Sequence, residues 1–145
     1  MKNIRQQVFE TNSSSSHSIS ICSSSQTYST IHPDENGVIT LIGGEFGCGY
    51  EEYYDSETKA NYCAVDMFND ESKIEMLKKV ICDHTGAKEV VLDFDPHECY
   101  SNSHNWSYVD HQSQGTSSDA FENESTLKNF IFGRGSYLII DNDNY

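Results

Sequence analysis

The chain has 145 residues, with 23 Asp and Glu against 9 Lys and Arg, a net charge of −14 and an isoelectric point near 4.5. That length suits one domain with a real core. The charge excludes the phosphate-neutralising face on which nucleic-acid affinity rests and disfavours anionic membranes, whereas basic protein surfaces suit it.

The first residues, Met1 to Gln7, are polar and carry Lys2 and Arg5. The stretch Val8-Phe9-Glu10-Thr11-Asn12-Ser13-Ser14-Ser15-Ser16-His17-Ser18-Ile19 organises the rest of the chain. Small hydroxyl and amide side chains bond to nearby backbone, so Asn12 to His17 reads as a hydrogen-bonding loop feeding a strand. A run of small residues also lets backbone N–H groups converge on an anion; a flexible serine linker is the competing reading. Ile19 and Ile21 alternate in the first expected strand, Ser18 to Ser24. A loop with Pro33 closes on Asn36-Gly37, and Val38 to Ile42 is a β-branched strand, a candidate hairpin partner for the first. Gly43, Gly44, Gly47 and Gly49 then crowd one turn around Glu45 and ahead of Tyr50. Their spacing fits neither a dinucleotide fingerprint nor a P-loop, so positive φ or close approach of another group must explain them.

A first helix is expected from about Asp55, capped by Asp55 or Ser56, with Ala60, Cys63, Ala64 and Met67 on one face. That spacing makes Cys63 a core residue and not a nucleophile. A second helix runs from about Ser72 to Thr85, with Ser72 and Glu75 as a capping box, Gly86 past its end, and a stripe of Ile74, Leu77, Val80 and Ile81. Glu89 to Phe94 reads as a central strand. Asp95 to Asn105 is a loop, Trp106 to Val109 a short strand ending in Asp110-His111-Gln112-Ser113, and Gln114 to Asn123 a polar loop. Ser125 to Phe132 is a helix with Leu127, Phe130 and Ile131 inward, stopped by Gly133. Ser136 to Ile140 is the last strand, before the polar Asp141-Asn142-Asp143-Asn144-Tyr145. The element order predicts a single α+β domain over residues 1–145, a mixed or antiparallel sheet of about five strands with two or three helices packed on it. Nine Tyr, seven Phe and one Trp separate the chain from an acidic disordered polymer.

Cys22, Cys48, Cys63, Cys82 and Cys99 are odd in number and far apart, without a CxxC pair. The N-terminus lacks a signal-peptide pattern, and no apolar run reaches the roughly 20 residues of a transmembrane helix. Reduced thiols in a cytoplasm, with no membrane partner, are expected. Zinc would need Cys82-x-His84 and His97-x-Cys99 together, but residues two apart on a helix point about 200° around its axis. Asp141, Asp143 and Glu45 fit a solvated tail and turn better than a cation site. No metal and no cofactor is expected.

Four polar clusters sit at strand or turn ends: Asn12 to His17, Glu45 to Glu51, Asp110 to Ser113, and Asp141 to Asn144. The string Phe9 to Ser18, the Gly44-Glu45-Phe46-Gly47 turn with Tyr50, the Thr58-Lys59-Ala60 helix start, Asp110 to Ser113 and Asp141 to Asn144 together resemble one family. It is the uncharacterised bacteriophage and prophage small-protein family of Firmicutes that opens with an FETNSSS-type string. The resemblance implies a phage or mobile-element origin and action in the host bacterial cytoplasm, and it supports a structured serine run. It carries no activity.

Three functions are then open. The first is an inhibitor of a host defence factor, such as a basic-grooved nuclease or restriction enzyme, acting through a nucleic-acid-like surface that includes Asp93, Asp95, Glu98, Asp119, Glu122 and Glu124. The second is a sequestering protein for a small phosphorylated ligand such as a signalling nucleotide. Its candidate ligand-binding residues are Asn12, Ser13, Ser14, Ser15, Ser16, His17, Glu45, Tyr50, Asp110, His111 and Gln112. The third is a small hydrolase or transferase with His17 or His111 as acid or base and Ser16 or Ser113 as nucleophile, without any GxSxG elbow. Direct nucleic-acid binding is disfavoured, and the oligomeric state stays open.

Overall fold

The computed structural model describes residues 5–10, 15–23, 26–46, 50–96, 106–109 and 121–142, of which 5–10, 15–17, 23, 45, 95–96, 106–109 and 141–142 are described as backbone only. The fold is α+β, as expected from the element order. Strands β1 (Arg5–Glu10), β2 (Ser15–Ser23), β9 (Tyr137–Asn142) and β5 (Glu51–Tyr53) form an antiparallel sheet in the order β1-β2-β9-β5. Two smaller parallel sheets accompany it. One pairs β3 (Val38–Leu41) with β6 (Glu89–Leu92), and the other places β8 (Trp106–Val109) between β4 (Glu45–Phe46) and β7 (Asp95–Pro96).

The helices form where period and caps agree. α1 (Ser56–Asp66) begins at Asp55, whose carboxylate accepts the Thr58 N–H at 2.7 Å. It is buried over most of its girth, and Ala60, Cys63 and Ala64 are fully enclosed. α2 (Glu71–Thr85) ends at Gly86 in the left-handed conformation, φ 79°, which costs a residue with a Cβ about 1–2 kcal/mol. Its stripe of Ile74, Leu77, Val80 and Ile81 is buried as the 3.6-residue spacing predicts. α3 (Glu124–Phe132) is capped by Asn123 and buries Leu127, Phe130, Ile131 and Phe132. All three helices contribute to one buried cluster with Ile19 and Ile21 of β2 and Leu138 and Ile140 of β9.

Ser136 ties these layers together. Its hydroxyl accepts the Cys22 N–H at 2.8 Å and donates to the Asn129 carbonyl at 2.7 Å, linking β2 to α3. Asn61 does the same for the glycine turn: its Oδ1 accepts the Gly43 N–H and its Nδ2 donates to the Glu57 carbonyl, both at 2.9 Å. Gly43 sits at φ 75°, so at this position the turn itself explains the glycine.

The structure corrects five local expectations. The polar lead runs into β1 from Arg5, because pairing with β2 decides its conformation where side-chain propensity is weak. β2 pairs with β1 and β9 and not with β3, whose partner is the sequence-distant β6. β6 is not central: β3 is its partner among the described residues, Glu89 is exposed and Val91 is 36% exposed. The α2 cap is Asp70, which accepts the Lys73 N–H and the Ser72 hydroxyl, so Ser72 supports the cap instead of forming it. Ser15, Ser16 and His17 already belong to β2, where a neighbouring strand satisfies the backbone that a loop would leave open.

Candidate functional site

β2 and β9 run antiparallel, so the start of one meets the end of the other. Ser15 lies opposite Asn142, Ser16 opposite Asp141 and His17 opposite Ile140. β5 joins from the other side, with Glu51 opposite Ile140. Parts of three of the four polar clusters therefore meet at one end of the main sheet. Glu45 lies in β4 opposite Tyr108, and β8 ends at Val109 opposite Phe46. Asn12, Ser13, Ser14, Asp110, His111 and Gln112 lie outside the described residues, as does Ser113.

Tyr50 belongs to a different, fully described group. Among the described residues β5 is an edge of the main sheet. Tyr53 turns inward against Phe46, ring centroids 6.0 Å apart. By strand alternation, Tyr50, Glu52 and Tyr54 share the outer side. The Tyr50 hydroxyl donates to Glu52 Oε2 and the Tyr54 hydroxyl to Glu52 Oε1, each at 2.9 Å. Accepting the bond from Tyr54 makes Glu52 raise that phenol above its ordinary value, so it stays a donor through the neutral range. Tyr50 is 54% and Tyr54 52% exposed. Glu52 was not among the residues expected from sequence, although the spacing Tyr-x-Glu-x-Tyr on a short strand is its signal.

At the opposite end of β9 lies a cleft of about 440 Å³ lined by Tyr28, Thr30, Tyr54, Asp55, Arg134, Gly135 and Ser136. The six residues of β9, five steps of about 3.4 Å, separate it from the serine end by roughly 17 Å. Lys59 of α1 lies beneath it, fully buried. Its ammonium donates to the Ser136 carbonyl at 2.9 Å and sits 5.4 Å from the Tyr28 ring centre and 5.6 Å from that of Phe130. Burial lowers its pKa to about 8, against smaller opposing influences from Cys63 and Asp55. Burial also raises Tyr28, with Asp55 adding to the effect and Arg134 opposing it.

Of the residues in the hydrolase reading, the side chains of Ser16 and His17 and the whole of His111 and Ser113 lie outside the described residues. Cys63 is fully buried, and its surroundings hold the thiol well above its ordinary value, chiefly by desolvation. His84 stacks on Phe132 at 4.0 Å between ring centres, while His97 and Cys99 lie outside the described residues. Among the described residues no three His, Cys, Asp or Glu side chains converge as a metal site would require, and no helix is long and apolar enough to cross a membrane.

Comparison of the chain with protein-family models, with curated proteins and with solved structures gives no match.

Proposed function

We propose that this is a binding protein that offers a carboxylate-rich, nucleic-acid-like surface to a basic protein, a defence factor of the host bacterium in the setting the phage-type resemblance implies. The observation that carries the reading is the Tyr50–Glu52–Tyr54 group on β5, an edge strand among the described residues. Exposed tyrosines supply rigid contact area that loses little side-chain entropy, and they are enriched where proteins meet. A carboxylate fixed by two hydroxyls keeps lone pairs for a third and fourth donor, which suits a bidentate guanidinium. Charges on a sheet edge also guard against edge-to-edge pairing, but that task does not call for two exposed rings. Glu51, Asp93 and Glu122 are exposed, and exposed Glu124 is bridged to Lys79 at 2.6 Å. Of the other acids expected on this surface, Asp95 is described as backbone only, and Glu98 and Asp119 lie outside the described residues.

The experiment is capture of host proteins on the immobilised chain, washed at rising salt. A basic protein retained at 0.1 M salt and released toward 1 M supports the reading, since the screening length falls from about 10 to about 3 Å. Retention that is unchanged at 1 M salt, or equal on a Glu52→Gln chain, counts against it.

A further inference from the structure

We propose that the cleft under Tyr28 and Tyr54 is a second site, sharing Tyr54 with the β5 group, for a mononucleotide-type ligand, a flat ring carrying a phosphate. Its volume of about 440 Å³ falls within the range of small-molecule sites. Two tyrosine rings border it, and a base stacks on aromatic side chains whatever its identity. Arg134 lines the same cleft, its charge acts on the Tyr28 phenol beside it, and its guanidinium takes no carboxylate or hydrogen-bond partner among the described residues. In a chain with 23 acids and 9 basic residues such an arginine is conspicuous. A guanidinium matches the planar, multidentate geometry of a phosphate group. Beneath the floor, the Lys59 ammonium donates to one carbonyl among the described residues, that of Ser136, and faces two rings. Its charge adds a local positive potential to an otherwise acidic molecule, which is what an anion needs to enter. Asp55 lines the cleft as well, its Oδ2 already held by the Thr58 N–H. Its remaining acceptor capacity suits a ribose hydroxyl or an exocyclic amine and disfavours a second phosphate.

The test is calorimetric titration of the full chain with AMP, GMP, CMP and UMP, and with adenosine and inorganic phosphate as controls. A monophosphate should bind, and its nucleoside and free phosphate should each bind about tenfold more weakly or worse, the loss expected for one charge-assisted contact. Arg134→Gln should reduce the monophosphate to the affinity of its nucleoside and leave the melting temperature unchanged, because Arg134 is exposed. Failure of all four monophosphates to bind would overturn the proposal, and so would an Arg134→Gln chain of undiminished affinity. Arg134 is not part of the Tyr50–Glu52–Tyr54 group, so either outcome leaves the protein-binding proposal to its own test.

Discussion

Replacing Lys59 by Met removes a buried charge while nearly conserving side-chain volume. The Lys59 ammonium is held at about 8 in the fold against 10.5 for an ordinary lysine. At about 1.4 kcal/mol per pH unit, keeping it charged inside the protein costs about 3 kcal/mol below pH 8. The substitution also loses the bond to the Ser136 carbonyl, worth about 1 kcal/mol. Lys59→Met should therefore be more stable than the parent at pH 7 by about 2 kcal/mol, a rise in melting temperature of roughly 5–10 °C for a chain of this size. The pH dependence carries the sign. Between pH 8 and 10.5 the unfolded parent binds a proton that the folded parent does not, so its Lys59 penalty fades as pH rises. The advantage of the Met chain should shrink across that window and vanish or reverse by about 1 kcal/mol above it. The raised Tyr28 and Tyr53 titrate in both chains and cancel in the difference; Cys63, whose thiol the Lys59 charge draws down against its burial, stays protonated to still higher pH in the Met chain. Urea unfolding of both chains at pH 7, 9 and 10.5 measures this directly. A difference that does not change with pH, or a Met chain several kcal/mol less stable at pH 7, would refute the reasoning.

Other substitutions test the fold more locally. Leu77→Ala empties a fully buried position of α2 and should cost about 2–5 kcal/mol in the same urea assay. Gly133→Ala would drive a Cβ into the Asn129 carbonyl oxygen, which accepts the Gly133 N–H, so thermal melting should show a loss of about 1–3 kcal/mol. Among Cys22, Cys63 and Cys82, a thiol reagent followed by mass spectrometry should label half-buried Cys82 first and Cys63 only on unfolding.

The helices were legible because their signals are local. Ala60, Cys63, Ala64 and Met67 fall on one face by spacing alone, and Gly86 stops α2 by its conformation. Strand pairing was not legible, since nothing near Ser16 specifies Asp141 as its partner or places Val38 beside Glu89. Convergence of the polar clusters depends on that same long-range register. Lys59 shows a different failure. It precedes Cys63 by one helical turn and so shares its buried side, yet lysine is almost never fully buried unless paired, and its residue type outweighed its position. The Tyr50–Glu52–Tyr54 group needed one more fact, that β5 closes the sheet and leaves those side chains outward.

The central claim is that an ordered carboxylate on the β5 edge stands in for nucleic acid on a basic protein. Its most direct measurement is displacement of labelled duplex DNA from a captured basic host nuclease, followed by fluorescence anisotropy at 0.1 M salt. The parent chain should displace the DNA, and Glu52→Gln should need at least about tenfold more protein, the loss of one charge-assisted contact. DNA that stays bound at saturating protein, or equal displacement by the parent and Glu52→Gln chains, would contradict the account.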